Sequence, residues 1–222
     1  MAKQLKIDFV SDVSCPWCAV GLASLDQALT KVQGDISVNM HFQPFELNPK
    51  MVPEGQDITE HITEKYGISA EQANANRENI RQRGAQVGFK FSGPDEPGGG
   101  RSRIYNTFDA HRLLHWAETV SADKQKSLKQ ALFKAYFTDG QSPGSHEVLA
   151  RVAGEVGLDI ARAKEILASD EYAGDVRKRE QFYQQLGINS VPAVIINDRH
   201  LISGGQPAEV FEQALRQIAA EA

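Results

Sequence analysis

Cysteine is nearly absent: 222 residues contain two, Cys15 and Cys18, too few for a fold stapled by disulfides. No apolar run approaches the roughly 20 residues that a membrane span requires. There is also no block of basic residues. The 24 Lys and Arg are interspersed with 29 Asp and Glu, for a formal net charge of -5, so nucleic acid and anionic membrane surfaces are not expected partners. The apolar stretch near the N-terminus is interrupted by Lys6 and Asp8, unlike the core of a secretory signal. The expected location is the cytoplasm, where thiols are kept reduced and a disulfide is usually catalytic or sensing. Metal ligands are scarce as well. A zinc site needs about four, and His111 and His115, four apart, do not complete one, so no metal is expected.

What is present falls into three blocks. "LKIDFV" alternates Leu5, Ile7 and Phe9 with Lys6 and Asp8, the period of a strand. From Pro16 the period becomes helical through Trp17, Val20, Leu25, Leu29 and Val32, with Pro16 suited to a first helical position and Gly34 to a stop. "ISVNMHF" reads as a second strand, completing a βαβ unit. Residues 56–187 read as all helix, five or six in number, including "RIYNTFDAHRLLHWA", "SLKQALFKAYF" and "SHEVLARVAGEVG". Ser69 and Gln72 form a capping box, and residues 92–102 are a Gly/Pro-rich loop. "VPAVIIND" and "RHLISG" read as a hairpin turning at Asn197 and Asp198. Val210, Phe211, Ala214, Leu215 and Ile218 share one face of a final helix. Two separate two-stranded sheets would each be marginal. The expected architecture is therefore α/β, βαβ…ββα with one four-stranded sheet, residues 1–50 and 188–222 forming one domain and 51–187 a helical insertion.

The chemistry concentrates in "SCPWC". A lone C-x-x-C is a weak signal, since two buried apolar cysteines would read the same way. Its place raises it. Cys15 falls where a strand hands over to a helix, so unpaired N–H groups and the helix dipole favour a thiolate. Cys18, one turn further in, can attack a mixed disulfide formed on Cys15. Asp8 and Asp12 precede the motif. A carboxylate buried beneath the pair could accept the proton of the resolving thiol, although the alternation of the strand places Asp8 on its polar face.

With "DFVSDVSCPWC", "QPFELNP", "NTFDAHRLLHWA", "GINSVPAVIIN" and "ISGGQ" in view, the chain resembles the DsbA-like branch of the thioredoxin superfamily along essentially its whole length, and within it the FrnE-like subfamily. The resemblance implies a thioredoxin-like fold with an inserted helical domain. It implies a catalytic set of Cys15 as nucleophile, Cys18 as resolving thiol and a facing cis-proline at Pro192. Val191 would offer its backbone to substrate by strand addition, and Pro16 and Trp17 would tune the pair. The helix carrying His111 and Arg112 would overlook the site, making both candidate substrate contacts. Where DsbA has a histidine beside its second cysteine this chain has uncharged Trp17, which implies a less oxidising disulfide. Some FrnE-like proteins carry a second cysteine pair. This chain has none, so electrons must come from or go to an outside partner.

Two functions compete, beside a third, a redox-silent interaction module, which no residue supports and of which an unreactive Cys15 would be the sign. One is thiol-disulfide exchange with protein or small-molecule thiols and disulfides, using the redox-active disulfide and no bound cofactor, with glutathione as a candidate co-substrate. The other is glutathione-dependent transfer or isomerisation of the kappa-class and hydroxychromene-carboxylate isomerase type, with glutathione along Val191 and Pro192 and its carboxylate near Ser203, Gly204 and Gly205. Those relatives generally lack the second cysteine, so Cys18 favours exchange. The polyketide association of the FrnE name identifies no site here. The oligomeric expectation is a monomer or homodimer.

Overall fold

The computed structural model describes residues 2–93 and 102–221. Strand β1 (Lys3–Ser11) leads into helix α1 (Pro16–Val32) and strand β2 (Ile36–Pro44). β1 and β2 are parallel, as a helical crossover requires. The chain returns after a long helical segment as β5 (Ala193–Ile196) and β6 (His200–Ser203), followed by α9 (Ala208–Glu221). β5 pairs antiparallel with β1 and β6 with β5, giving one four-stranded sheet in the order β2-β1-β5-β6. Asn197 and Asp198 both adopt positive φ, 52° and 56°, the geometry that a tight hairpin between twisted strands demands.

Between β2 and β5 lie β3 (Gln56–Asp57), α2 (Ile58–Tyr66), α3 (Ala70–Gln86), β4 (Arg103–Ile104), α4 (Phe108–Val120), α5 (Ala122–Phe137), α6 (His146–Glu155), α7 (Ile160–Leu167) and α8 (Ala173–Gln185). The described residues of this segment thus hold seven helices, not five or six, and a two-residue β3–β4 ladder that no period could reveal. Residues 103–107 do not join α4 as expected. Tyr136 donates to the Arg103 carbonyl and the Asn106 side chain accepts from Phe108 N–H, starting the helix later. The capping box at Ser69 and Gln72 forms. Most of the 92–102 loop lies outside the described residues.

Two large apolar clusters organise the described residues, beside a small third one of Val10, Tyr183, Ile188 and Ala193. Leu5, Ile7 and Phe9 of β1 meet Leu22 and Leu25 of α1 and Phe211 and Leu215 of α9, and the cluster continues into Phe133, Tyr136 and Phe137 of α5. Leu113 and Leu114 of α4 join Leu128 and Leu132 of α5 and Leu149 and Val152 of α6 in the second. Helix α5 belongs to both, so the helical segment is anchored beside α1. Val210, expected on the inner face of α9, is exposed instead.

Candidate active site

Cys15 is the N-cap residue of α1, extended at φ -87° and ψ 114°, and Pro16 occupies the first helical turn. A proline there costs no helix hydrogen bond, because the first N–H groups have no intrahelical partner. The Cys18 and Ala19 N–H groups donate to the Cys15 carbonyl at 3.1 and 3.4 Å, which starts the helix and sets the second thiol one turn in. Both thiols are free, with Cys15 4% and Cys18 0% exposed.

Opposite them stands the start of β5. The Val191–Pro192 peptide is cis, and Cys15 Sγ lies 3.7 Å from the Val191 carbonyl oxygen. Gly204 N–H donates to the Pro192 carbonyl at 2.8 Å, tying the end of β6 to the same loop. The fit against α1 is close. A Cβ on Gly205 would lie 2.9 Å from the Trp17 carbonyl oxygen, and one on Gly21 3.1 Å from Pro192 Cγ. Trp17 is half-buried against the core, with one edge under Gly205.

The two thiols are unequal. The hydrogen bond from the Cys18 thiol, helped by the Cys18 and Trp17 N–H groups, lowers the Cys15 pKa against the opposing effects of burial and of Asp12. Burial, followed by the hydrogen bond to Cys15 and then the negative charge there, pushes Cys18 well above the ordinary cysteine value. The outer sulfur is the one prepared to ionise.

Asp12, not Asp8, is the carboxylate of the site. Successive side chains of a strand point to opposite faces. Ile7 and Phe9 face α1, and Asp8 faces a separate cleft of about 420 Å³ with Lys6, His41, Gln43, Glu118 and Arg179. Nor is Asp8 the solvated polar residue that the alternation suggests, for it is buried and accepts from Gln43 at 2.6 Å. Asp12 lies just past β1, accepting from the Ser14 N–H and hydroxyl at 3.1 and 3.0 Å and from Leu47 N–H at 2.7 Å. Burial would raise its pKa, yet His111 and these donors hold it at about 2.

His111 is 2% exposed, with Nε2 3.6 Å from Asp12 Oδ1. It stands behind Asp12 and presents no surface to substrate, contrary to expectation. Arg112 is also corrected. Its guanidinium donates to the Glu171, Ile166 and Ser169 carbonyls and to Asp109, so its donors are spent on the end of α7 and the turn beyond. Residues four apart share a helix face and neighbours do not, which separates it from the site that His111 approaches.

Three side chains that the sequence reading passed over belong near the pair. Lys65 and Tyr66, at the end of α2, lie close enough to Cys15 to feel its charge, and Tyr66 is exposed. Lys65 Nζ donates to the Leu47 carbonyl and Asn48 Oδ1 at 2.9 and 2.7 Å. The third, Lys129 of α5, is fully buried, and burial lowers its pKa to about 8 against the fields of Cys18, Asp12 and Cys15. Its place four residues before Phe133 and seven before Tyr136 is a legible signal, because that spacing puts it on the apolar face of the helix. Among the described residues no three His, Cys, Asp or Glu side chains gather as a metal site.

Residues 6–216 match the model of the DSBA-like thioredoxin domain. The chain is 34% identical to the structure of a probable DsbA oxidoreductase, SCO1869, from Streptomyces coelicolor, covering 98% of this chain and 91% of that one with a TM-score of 0.88. It is 28% identical over 211 residues to the uncharacterised protein YwbO of Bacillus subtilis, covering 94% of each. The cytosolic disulfide reductase DsbM from Pseudomonas aeruginosa with GSH shares the fold at 17% identity and a TM-score of 0.65, covering 97% of this chain and 99% of that one.

Proposed function

We propose that this chain, which belongs to the DSBA-like thioredoxin domain family, is a thiol-disulfide oxidoreductase whose working pair is Cys15 and Cys18. The observation that carries the reading is the placement of Cys15 Sγ at the start of α1, 3.7 Å from the carbonyl preceding cis-Pro192, with Cys18 one turn behind. The Cys15 thiolate attacks one sulfur of a substrate disulfide. The Cys15–substrate bond forms, the substrate S–S bond breaks, and the second substrate sulfur leaves as a thiolate. Cys18 then attacks Cys15 Sγ, closing the intramolecular disulfide and releasing the first sulfur. The same steps run backwards reduce the enzyme.

Val191 is the backbone contact for an extended substrate, and Pro16, Trp17, Gly204 and Gly205 form the wall against which it lies. We place residues 1–50 and 188–222 in the catalytic unit and 51–187 in a helical insertion, within the FrnE-like subfamily and in the cytoplasm. Glutathione is the candidate small-thiol partner, a reading supported by the disulfide reductase of the same fold that was solved with it. Trp17 brings no cation to Cys15, and Asp12 opposes its ionisation, so the disulfide is less oxidising than that of DsbA, at about -120 mV.

The test is a redox titration in glutathione buffers with thiol trapping and mass spectrometry, alongside Cys15→Ser and Cys18→Ser. The expected result is reversible closure of an intramolecular disulfide at a potential well below the DsbA value. An inert Cys15, or one that only carries glutathione, would overturn the reading in favour of glutathione-dependent transfer.

A further inference from the structure

Lys129 lies two turns into α5 with no exposed surface, and its Nζ has no hydrogen-bond partner. Its contact is the face of Phe133, 5.0 Å from Nζ to the ring centroid, and Phe133 belongs to the apolar cluster that also holds Cys15 and Cys18. A buried ammonium in such a place is costly unless a charge answers it. The titratable groups whose fields reach it are Cys18 and Cys15 of α1 and Asp12 from the preceding loop. Asp12 is already held by Ser14, Leu47 and His111. Cys15 also has Lys65 within reach of its charge, whereas the cation whose field is felt at Cys18 is Lys129.

We propose that Lys129 is the counter-cation of the resolving thiol, a positioning charge supplied by the helical segment that stabilises negative charge on Cys18 Sγ during exchange. The proposal rests on the oxidoreductase reading above. In the resolving step Cys18 must ionise where no water solvates it. Its thiolate attacks Cys15 Sγ, the Cys15–Cys18 bond forms and the Cys15–substrate bond breaks. The substrate sulfur leaves with the electron pair and takes up the proton that Cys18 gave away. Cys18 is oxidised, the substrate sulfur is reduced, and no other reactant is needed. In the reverse direction Cys18 is the leaving group and needs the same cation. With its pKa at about 8, Lys129 is still mainly protonated at neutral pH. An opposite charge at close range shifts a pKa by about 1 to 3 units, so the thiolate population at Cys18 falls by about tenfold or more without it.

The experiment follows reaction of the reduced full-length protein with Ellman's reagent by stopped flow. The first coloured thiolate reports attack by Cys15 and the second reports resolution by Cys18. Lys129→Met is expected to slow the second release by about tenfold or more and to move its pH profile upward, leaving the first within about threefold. Lys129→Arg, which keeps the charge, is expected to recover most of the rate. Second releases in Lys129→Met at the wild-type rate and pH profile would overturn the proposal. Absence of a second release in the wild type would sink the oxidoreductase reading itself, and the proposal with it, before any variant is compared. A measurement on the wild type stands independently of how the variants fold. The Lys129 side chain, followed by carbon NMR, is expected to titrate at lower pH in the disulfide form than in the dithiol form, because closure removes the Cys15 thiolate whose field reaches it, along with the Cys18 sulfur's capacity to ionise. Identical titrations in the two forms would overturn the assignment.

Discussion

Cys15 Sγ and the carbonyl oxygen of Val191, 176 residues apart in the chain, lie 3.7 Å from each other. The contact joins the start of α1 to the loop entering β5, and β1 holds both in register because it pairs with β2 on one edge and β5 on the other. The thiol and the carbonyl are therefore held at a fixed separation by the sheet.

The asymmetry of the thiols should be visible in their alkylation. Iodoacetamide is expected to modify Cys15 with an inflection below that of a free thiol while sparing Cys18. The Cys18 thiol is the largest contributor to Cys15 acidity, so Cys18→Ala is expected to move the Cys15 inflection to higher pH. Mass-spectrometric mapping of the alkylated residues checks both outcomes.

Gly205 is a packing requirement of the site. A methyl there would meet the Trp17 carbonyl at 2.9 Å, and a backbone atom cannot swing away. Gly205→Ala is expected to lower stability by about 1 to 3 kcal/mol and to slow exchange by pushing the β6–α9 turn off α1. Denaturant unfolding with a parallel exchange assay measures the two effects.

Asp12 makes stability sensitive to acid. Its pKa falls from 3.8 to about 2 on folding. The associated stability is fully present above about pH 4 and is lost as pH falls through about 2, for a total of about 2 kcal/mol. Asp12→Asn should flatten the stability profile in that window, as followed by chemical denaturation between pH 2 and pH 5.

Lys129 is destabilising when charged, where Asp12 is stabilising, although both contributions rise with pH. Its pKa falls from 10.5 to about 8 on folding, so the native state loses its proton first and this residue's contribution to stability rises between those two pH values. Below pH 8 the buried charge costs about 3 kcal/mol. Lys129→Met is expected to melt at a higher temperature than wild type at neutral pH, a gain that calorimetry would detect beside its slower resolving step.

Arg112 is a structural residue. Arg112→Ala would strand three carbonyls and Asp109, with an expected loss of about 2 to 4 kcal/mol. The redox potential of the pair is expected to stay within about 15 mV, half of the 30 mV that a tenfold change in the equilibrium constant represents. A thermal melt together with a glutathione titration separates the two properties.

Local order was readable because it depends on neighbours in the chain. The alternation of Leu5, Ile7 and Phe9 marks a strand, Pro16 can only open a helix, and the two-residue gap sets Cys18 one turn behind Cys15. The hairpin turn at Asn197 and Asp198 follows from residues that tolerate positive φ. The sequence by itself thus determined the four-stranded sheet, the helices that flank it and the spacing of the two cysteines, but not the number of helices between β2 and β5. Which buried charges attend that pair was decided only when the elements packed. Asp12 rather than Asp8 stands at the thiols because β1 ends before it, freeing Asp12 from the strand's alternation while Asp8 stays on the far face. His111 reaches the site and Arg112 does not because one helical step rotates a side chain by about 100°. Lys129 becomes the cation beside the thiols only because α5 lies against both α1 and the helical core, and no local pattern states which helix a face will meet.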